Sequence, residues 1–229
     1  MSLRSHAQGH PGRPADSVTY RRSFLSRAHH LIGQGYEQMR QHELSRMDEP
    51  AITGLLVQGV DDWLDSKEAP EWAERFSIQD EYHVNDVDLS GDPVMGKFRP
   101  RVDIRIIASG LRPRARLQIE AKRLRQPEGT SLKAYLGSEG FGSFLSCRYA
   151  KGQPWAGMLG YVQDGSTATW SDKIRDKMTE QAQALKVVPQ TEILRPQSLE
   201  ALLPDVYRSD HQRQDDSDIE VHHIFLHCN

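Results

Sequence analysis

Two stretches of strict alternation constrain this chain more than any other feature. Across residues 101–107, Val102, Ile104 and Ile106 take one set of alternate positions, and Arg101, Asp103 and Arg105 take the other. Across 116–122, Leu117, Ile119 and Ala121 alternate with Arg116, Gln118, Glu120 and Lys122. A period of two is the repeat of a β-strand, so each stretch predicts a strand with one apolar and one polar face. The residues between, 108–115, contain Gly110 and Pro113 and suit a hairpin connection.

The remaining elements follow from the same kind of reading. Residues 20–44 predict a helix, with Leu25, Ala28, Ile32 and Met39 near one face. Asp48, Glu49 and Pro50 look like a helix start, and the helix over 50–65 carries a stripe of Ile52, Leu55, Leu56, Gly59, Val60, Trp63 and Leu64. A strand is expected at 76–84, an acidic turn-rich loop at 85–93 and a loop at 127–137. A helix is expected at 139–149, with Phe141, Phe144, Leu145 and Tyr149 as its buried face. Then come a strand at 155–163, an amphipathic helix at 169–186, a short helix at 198–203, a polar loop at 212–218 and a final strand at 219–228. With no internal repeat and no clear linker, residues 19–229 read as one domain. Residues 1–18, rich in Gly, Pro, His and Arg and without an apolar segment, read as a disordered tail rather than a signal peptide.

At 229 residues the chain can bury a core without disulfides or a structural metal. Its two cysteines, Cys147 and Cys228, are far apart and form no C-x-x-C pair. A zinc ribbon and a disulfide scaffold are therefore disfavoured, and a reducing cytoplasm is expected. No apolar run approaches the roughly 20 residues that span a bilayer. The net charge of −3 hides a strong asymmetry. Residues 97–125 hold ten basic residues against two acids, Asp103 and Glu120, while the rest of the chain holds 19 basic and 30 acidic residues. A local positive field on an acidic body suits a phosphate backbone. By itself the run reads first as a solvated, Arg-rich hairpin, and what shifts the reading is the two carboxylates inside it.

The two acids inside that run carry the chemistry. Phosphodiester hydrolysis needs a cation against the charge of the transition state, an activated water, and carboxylates to hold the cation. Alternate residues of a strand share a face at about 6.5–7 Å, so Glu120 and Lys122 are neighbours. Glu120 would hold a metal, Lys122 would orient or help deprotonate the attacking water, and Asp103 on the partner strand would meet the same ion. The plainer alternative is that Asp103 pairs with Arg101 or Arg105 at the surface, and that Glu120 and Lys122 make a salt bridge. Glu49 is a further candidate. At 100° per residue it lies within about 60° of Ile52 and about 40° of Thr53, Leu56, Val60 and Trp63, where a carboxylate is costly unless paired or metal-bound. As a residue at the start of a helix it is also favoured by the helix dipole.

Asp103, a gap of sixteen residues, then Glu120-x-Lys122 on adjacent strands resembles the PD-(D/E)XK, or restriction-endonuclease-like, nuclease superfamily. The order of predicted elements from 50 to 163 fits the αβββαβ core of that family and covers roughly half the chain. The family's proline before the Asp is absent; Val102 stands there. The resemblance implies an α/β, three-layer sandwich with a mixed central sheet, extended by an N-terminal helix and a C-terminal helix and strand. It implies a Mg²⁺- or Mn²⁺-dependent endonuclease acting on nucleic acid, DNA in the first instance. Asp103, Glu120 and Lys122 would be catalytic, and Asp103, Glu120 and Glu49 would hold the metal, with Asp48 the substitute if the register is off by one. Arg101, Arg105, Arg123 and Arg125 would anchor phosphates. It further suggests a bacterial or phage-related defence or restriction component, beside a partner ATPase or helicase or as a homodimer, with no membrane role. The rival from another class is a catalytically inactive nucleic-acid-binding or protein-interaction module of the same fold.

Other residues are weaker candidates. Glu139 and Arg148 could face substrate but suit surface roles. Tyr161 and Gln163 share a strand face and suit packing. His223 and His227 share a strand face near His222 but lack a third ligand. Ser209, Asp210 and His211 are adjacent in sequence and do not make a triad.

Overall fold

The computed structural model describes residues 15–84, 99–109, 114–203 and 205–229, with side chains from residue 19. The expected acidic loop at 85–93, the hairpin turn at 110–113 and residues 1–14 of the expected tail lie outside the described residues.

The chain forms an α/β structure around a seven-stranded mixed sheet. The strands are β1 (Phe76–His83), β2 (Arg101–Ala108), β3 (Arg116–Leu124), β4 (Trp155–Val162), β5 (Arg195–Pro196), β6 (Val206–Gln212) and β7 (Asp218–His227), in the spatial order β1-β2-β3-β4-β7-β6-β5. The middle of the sheet, β3-β4-β7, is parallel, and the pairs flanking it are antiparallel. Every residue of β4 is buried, as expected of a strand with parallel neighbours on both sides and helices on both faces.

Two helices cover one face: α1 (Ala15–Met39) and α2 (Glu49–Leu64). Their buried residues, among them Leu31, Ile32, Ile52 and Leu56, join Ile104, Ile106, Leu117, Ile119 and Leu159 in one core. The other face is covered by α3 (Glu128–Leu136), the short α4 (Gly142–Leu145) and α5 (Thr167–Glu180). There Tyr135, Phe141, Phe144 and Trp170 pack on Ala156, Met158, Val221 and Phe225.

Several expectations are corrected. The loop expected at 127–137 is helix α3: Pro127 and Gly137, read as loop signals, are its flanking residues, and Leu132, Tyr135 and Leu136 supply a buried stripe. The helix expected at 139–149 is only the four-residue α4, because Cys147 and Ala150 adopt left-handed backbone (φ 60° and 52°) that ends it. Phe141, Phe144, Leu145 and Tyr149 are nonetheless buried. No helix forms at 198–203, and strands β5 and β6 were not expected at all. Helix α1 stops at Met39, and it begins at Ala15, inside the stretch expected to be disordered. Helix α5 stops at Glu180.

The alternation of β2 also breaks. Ile104 and Ile106 face the α1/α2 core, but Val102 belongs to the opposite core. Glu81 of the neighbouring β1 takes a left-handed backbone (φ 43°) at this level. Ile78 before it packs with the first core, and Tyr82 after it packs with the second. The face of the sheet therefore changes on both strands beside Asp103.

Helices α1 and α2 approach closely at Gly35 and Gly59. A Cβ at Gly35 would lie 2.5 Å from the Leu56 carbonyl oxygen, a backbone atom that cannot turn aside. Gly35→Ala is expected to destabilise the fold by about 1–3 kcal/mol, read as a lowered urea midpoint with an unchanged slope. An unchanged midpoint would show that the two helices can separate freely.

Candidate functional site

Strands β2 and β3 pair only from Ile107↔Arg116 to Ile104↔Ile119. Beyond that point β2 stays with β1 as far as Arg101, and β3 stays with β4 as far as Leu124. The sheet forks. On the opened edge of β3, the N–H groups of Ala121 and Arg123 have lost their strand partner, and an unpaired buried donor costs about 1–3 kcal/mol. Two carboxylates accept them instead. Asp103 Oδ2 accepts from Ala121 N at 2.7 Å, and Glu49 Oε2 accepts from Arg123 N at 3.0 Å.

Glu49 reaches this edge because α2 begins there. Asp48 is the helix N-cap, its side chain accepting from Ala51 N at 3.0 Å, and Pro50 follows in the first turn. Asp48 is thereby committed to the cap, and Glu49 is the acid that α2 delivers. The segment before the helix is fixed from the sheet. Gln163, just past β4, donates through Nε2 to the carbonyls of Leu44 and Met47, both at 2.8 Å.

Lys122 fills the space between the carboxylates. Its Nζ lies 2.7 Å from Glu120 Oε1, 3.2 Å from Glu49 Oε1 and 3.8 Å from Asp103 Oδ2. It also donates to the Ala121 carbonyl at 2.7 Å. Glu49, Asp103, Glu120 and Lys122 are thus brought together by three different segments of chain. Glu120 is the deepest of them, 4% exposed, and its Oε2 is buried without a hydrogen-bond partner. Burial, and then the charge of Asp103, push its pKa up to about 8 against the pull of Lys122. Burial disfavours the Lys122 ammonium, but Glu120, Glu49 and Asp103 more than offset it and raise its pKa. Tyr149 lies near this cluster, its hydroxyl donating to the Arg101 carbonyl at 2.6 Å, and burial followed by the charge of Glu120 pushes it up to about 12. The sequence marked Tyr149 only as a core residue, and nothing in its spacing tied it to Glu120.

The expected phosphate anchors are dispersed. Arg101 is exposed and pairs with Glu81 at 3.3 Å. Arg125 is exposed, and Arg123 is half-buried with Nη1 3.4 Å from the Met47 carbonyl. Arg105 is turned inward and stacks on the Tyr82 ring, 3.9 Å from its centroid. Desolvation lowers its pKa.

The weaker candidates are placed elsewhere. Glu139 and Arg148 pair at the surface at 2.8 Å. Tyr161 meets Thr53 in the core, hydroxyl to hydroxyl at 3.0 Å. His222 lies edge-on to His29 of α1, whereas His223 points to the opposite core, bonded to Tyr135 and Ser209. His227 is exposed. Ser209 Oγ contacts His211 and His223 in a buried network, while Asp210 turns to Arg195 and Arg208. These three residues do not form a triad.

The donors at the fork are carboxylate oxygens, the kind that suits Mg²⁺ or Mn²⁺. Among the described residues no three acidic, histidine or cysteine side chains stand close enough to form a ready-made metal cluster. The acids are gathered around an ammonium. No family model, no curated protein and no solved structure matches the chain. Among the described residues no helix is long and apolar enough to cross a membrane.

The raised pKa of Glu120 has a consequence for stability. Between about pH 4.5 and 8 the folded protein keeps a proton that the unfolded chain has released. The folded state then binds more protons, so stability falls as pH rises through this window. Without divalent ions, Glu120→Gln is expected to flatten that fall, by on the order of a few kcal/mol at its upper end. Urea unfolding at pH 5 and pH 8 in the presence of a chelator measures it; equal slopes in parent and variant would mean that Glu120 is ionised throughout.

Proposed function

We propose that this chain is a metal-dependent nuclease, with its active centre at the β2/β3 fork. One observation carries the reading: three carboxylates from three segments, Glu49, Asp103 and Glu120, lie within 3.8 Å of the single nitrogen of Lys122. The Oε2 of Glu120, buried and without a hydrogen-bond partner, would be open to a metal ion. The order α2-β1-β2-β3-helix-β4 supports a restriction-endonuclease-like core within the mixed sheet.

A divalent ion bound there would neutralise the developing phosphorane charge and activate a water at neutral pH. Asp103 and Glu120 would hold it, with Glu49 completing the oxygen set. The backbone N–H groups of Ala121 and Arg123 fix Asp103 and Glu49 in place, as hydrogen bonds to ligands do in metal sites generally. Lys122 would hold or donate a proton beside the attacking water and the scissile phosphate. The exposed guanidinium groups of Arg101 and Arg125, and the half-buried Arg123, would supply positive charge for a phosphate backbone. DNA is the expected substrate. With no recognisable sequence-reading module in the chain, targeting would come from a partner, such as an ATPase or helicase of a bacterial defence system, or from a second copy.

Purified protein with Mg²⁺ or Mn²⁺ is expected to cut supercoiled, linear or single-stranded DNA, and the activity should stop with chelator. Glu120→Gln and Lys122→Met should each lower the rate at least about a hundredfold with near-parental circular dichroism. Undiminished cleavage by either variant would refute the assignment. Salt-dependent DNA binding with no cleavage under any of these conditions would identify the inactive binding module instead.

A further inference from the structure

The hydrogens of Lys122 are fully committed. An ammonium has three, and Lys122 has three acceptors: Glu120 Oε1 at 2.7 Å, the Ala121 carbonyl at 2.7 Å and Glu49 Oε1 at 3.2 Å. None remains for a water or a phosphate. In this arrangement Lys122 cannot do what the nuclease reading asks of it. Glu120 presents the complementary deficit: 4% exposed, with Oε2 buried and unpartnered. The ammonium satisfies one oxygen of that carboxylate and leaves the other idle.

The spacing tells the same story. Bonds from oxygen to Mg²⁺ are about 2.0–2.1 Å. The three carboxylates stand 2.7, 3.2 and 3.8 Å from the Lys122 nitrogen, as suits an ammonium. A metal at this centre must draw Asp103 and Glu49 inward, and it cannot do so while Nζ is among them. Asp103 and Glu49 are held by backbone N–H groups through one oxygen each, Oδ2 and Oε2. The Lys122 side chain, four rotatable methylenes carrying the ammonium, is the part able to leave.

We propose that Lys122 is the placeholder of the divalent cation: an entering ion displaces its ammonium from the three carboxylates, and only then is the ammonium free to face water or phosphate. This inference rests on reading the fork as a metal centre. With Glu120 ionised, as binding to a metal requires, three carboxylates and one ammonium leave a charge of −2, which one divalent ion neutralises, so a single ion per chain is expected. Metal binding and the release of Lys122 are then one event, and the site is inert until loaded. Lys122 opposes the metal it serves, so removing it should abolish activity and tighten metal binding together.

The test is calorimetric titration of Mn²⁺ into the parent, Lys122→Met and Asp103→Asn proteins at neutral pH. The parent should bind one ion, Asp103→Asn should lose that binding, and Lys122→Met should bind one ion about tenfold or more tightly. A second measurement uses the parent alone, in case Lys122→Met fails to fold without metal. Acetylation of Lys122 by an N-hydroxysuccinimide ester, followed by mass spectrometry, should be slow without Mn²⁺ and severalfold faster with it. Equal or weaker binding by folded Lys122→Met, or acetylation that Mn²⁺ leaves unchanged or slows, overturns the placeholder role and leaves the metal centre standing. Absence of Mn²⁺ binding in the parent overturns both.

Discussion

The site depends on a strand that leaves its neighbour. Where β2 parts from β3, two backbone N–H groups on the exposed edge must find acceptors, and Asp103 and Glu49 supply them. The same bonds that satisfy the edge bring the carboxylates together. Without the fork, Ala121 and Arg123 would pair with β2, and neither acid would have reason to be there. The fork is in turn prepared by the change of face on β1 and β2, where Glu81 adopts a left-handed backbone and Val102 crosses to the second core. Ile104 and Ile106 pin β2 to the first core just beforehand, so the strand has little freedom over where it diverges.

The surroundings explain why charge gathers at this one place. β4 is buried along its whole length, and β3 is buried over most of its own. A carboxylate such as Glu120 is tolerable on such a strand only beside a compensating cation. Lys122, two residues on and on the same side, provides it. Burial and the neighbouring Asp103 still oppose the ionised form of Glu120, against the pull of Lys122.

Much of the sheet was legible in the sequence, because alternation reports burial directly. Strands β1, β2, β3, β4 and β7 and helix α2 fall close to their expected places. Helix α3 was misread because Pro127 and Gly137 signal a loop as readily as they bound a helix. Strand β6 was missed because five of its seven residues are charged or polar, and the buried polar ones, Ser209 and His211, are satisfied by His223 and a Leu185 carbonyl rather than by apolar packing. Within the site, period two placed Glu120 beside Lys122, and helix counting placed Glu49 on the inner face of α2. The fork itself left no mark in the sequence. Val102 continues the alternation of Ile104 and Ile106 in letters but not in space. The inward turn of Arg105 onto Tyr82 was equally hidden, since a basic residue on a polar strand face reads as exposed.

The rest of the molecule can be understood as what holds the fork still. Gln163 ties the segment before α2 to the end of β4, so Glu49 is located from the most buried strand of the sheet. On the far side, Tyr135, His223, Ser209 and His211 form a continuous buried chain of hydrogen bonds that joins α3 to β7 and β6. Such fully connected polar networks specify one arrangement where apolar packing would permit several. α3 follows β3 directly, and Ser131 at its start bonds both the N–H and the carbonyl of Arg125. The far network therefore fixes the helix whose first turn fixes the end of β3. The carboxylates converge at the open edge of a strand whose other side and far end are both held.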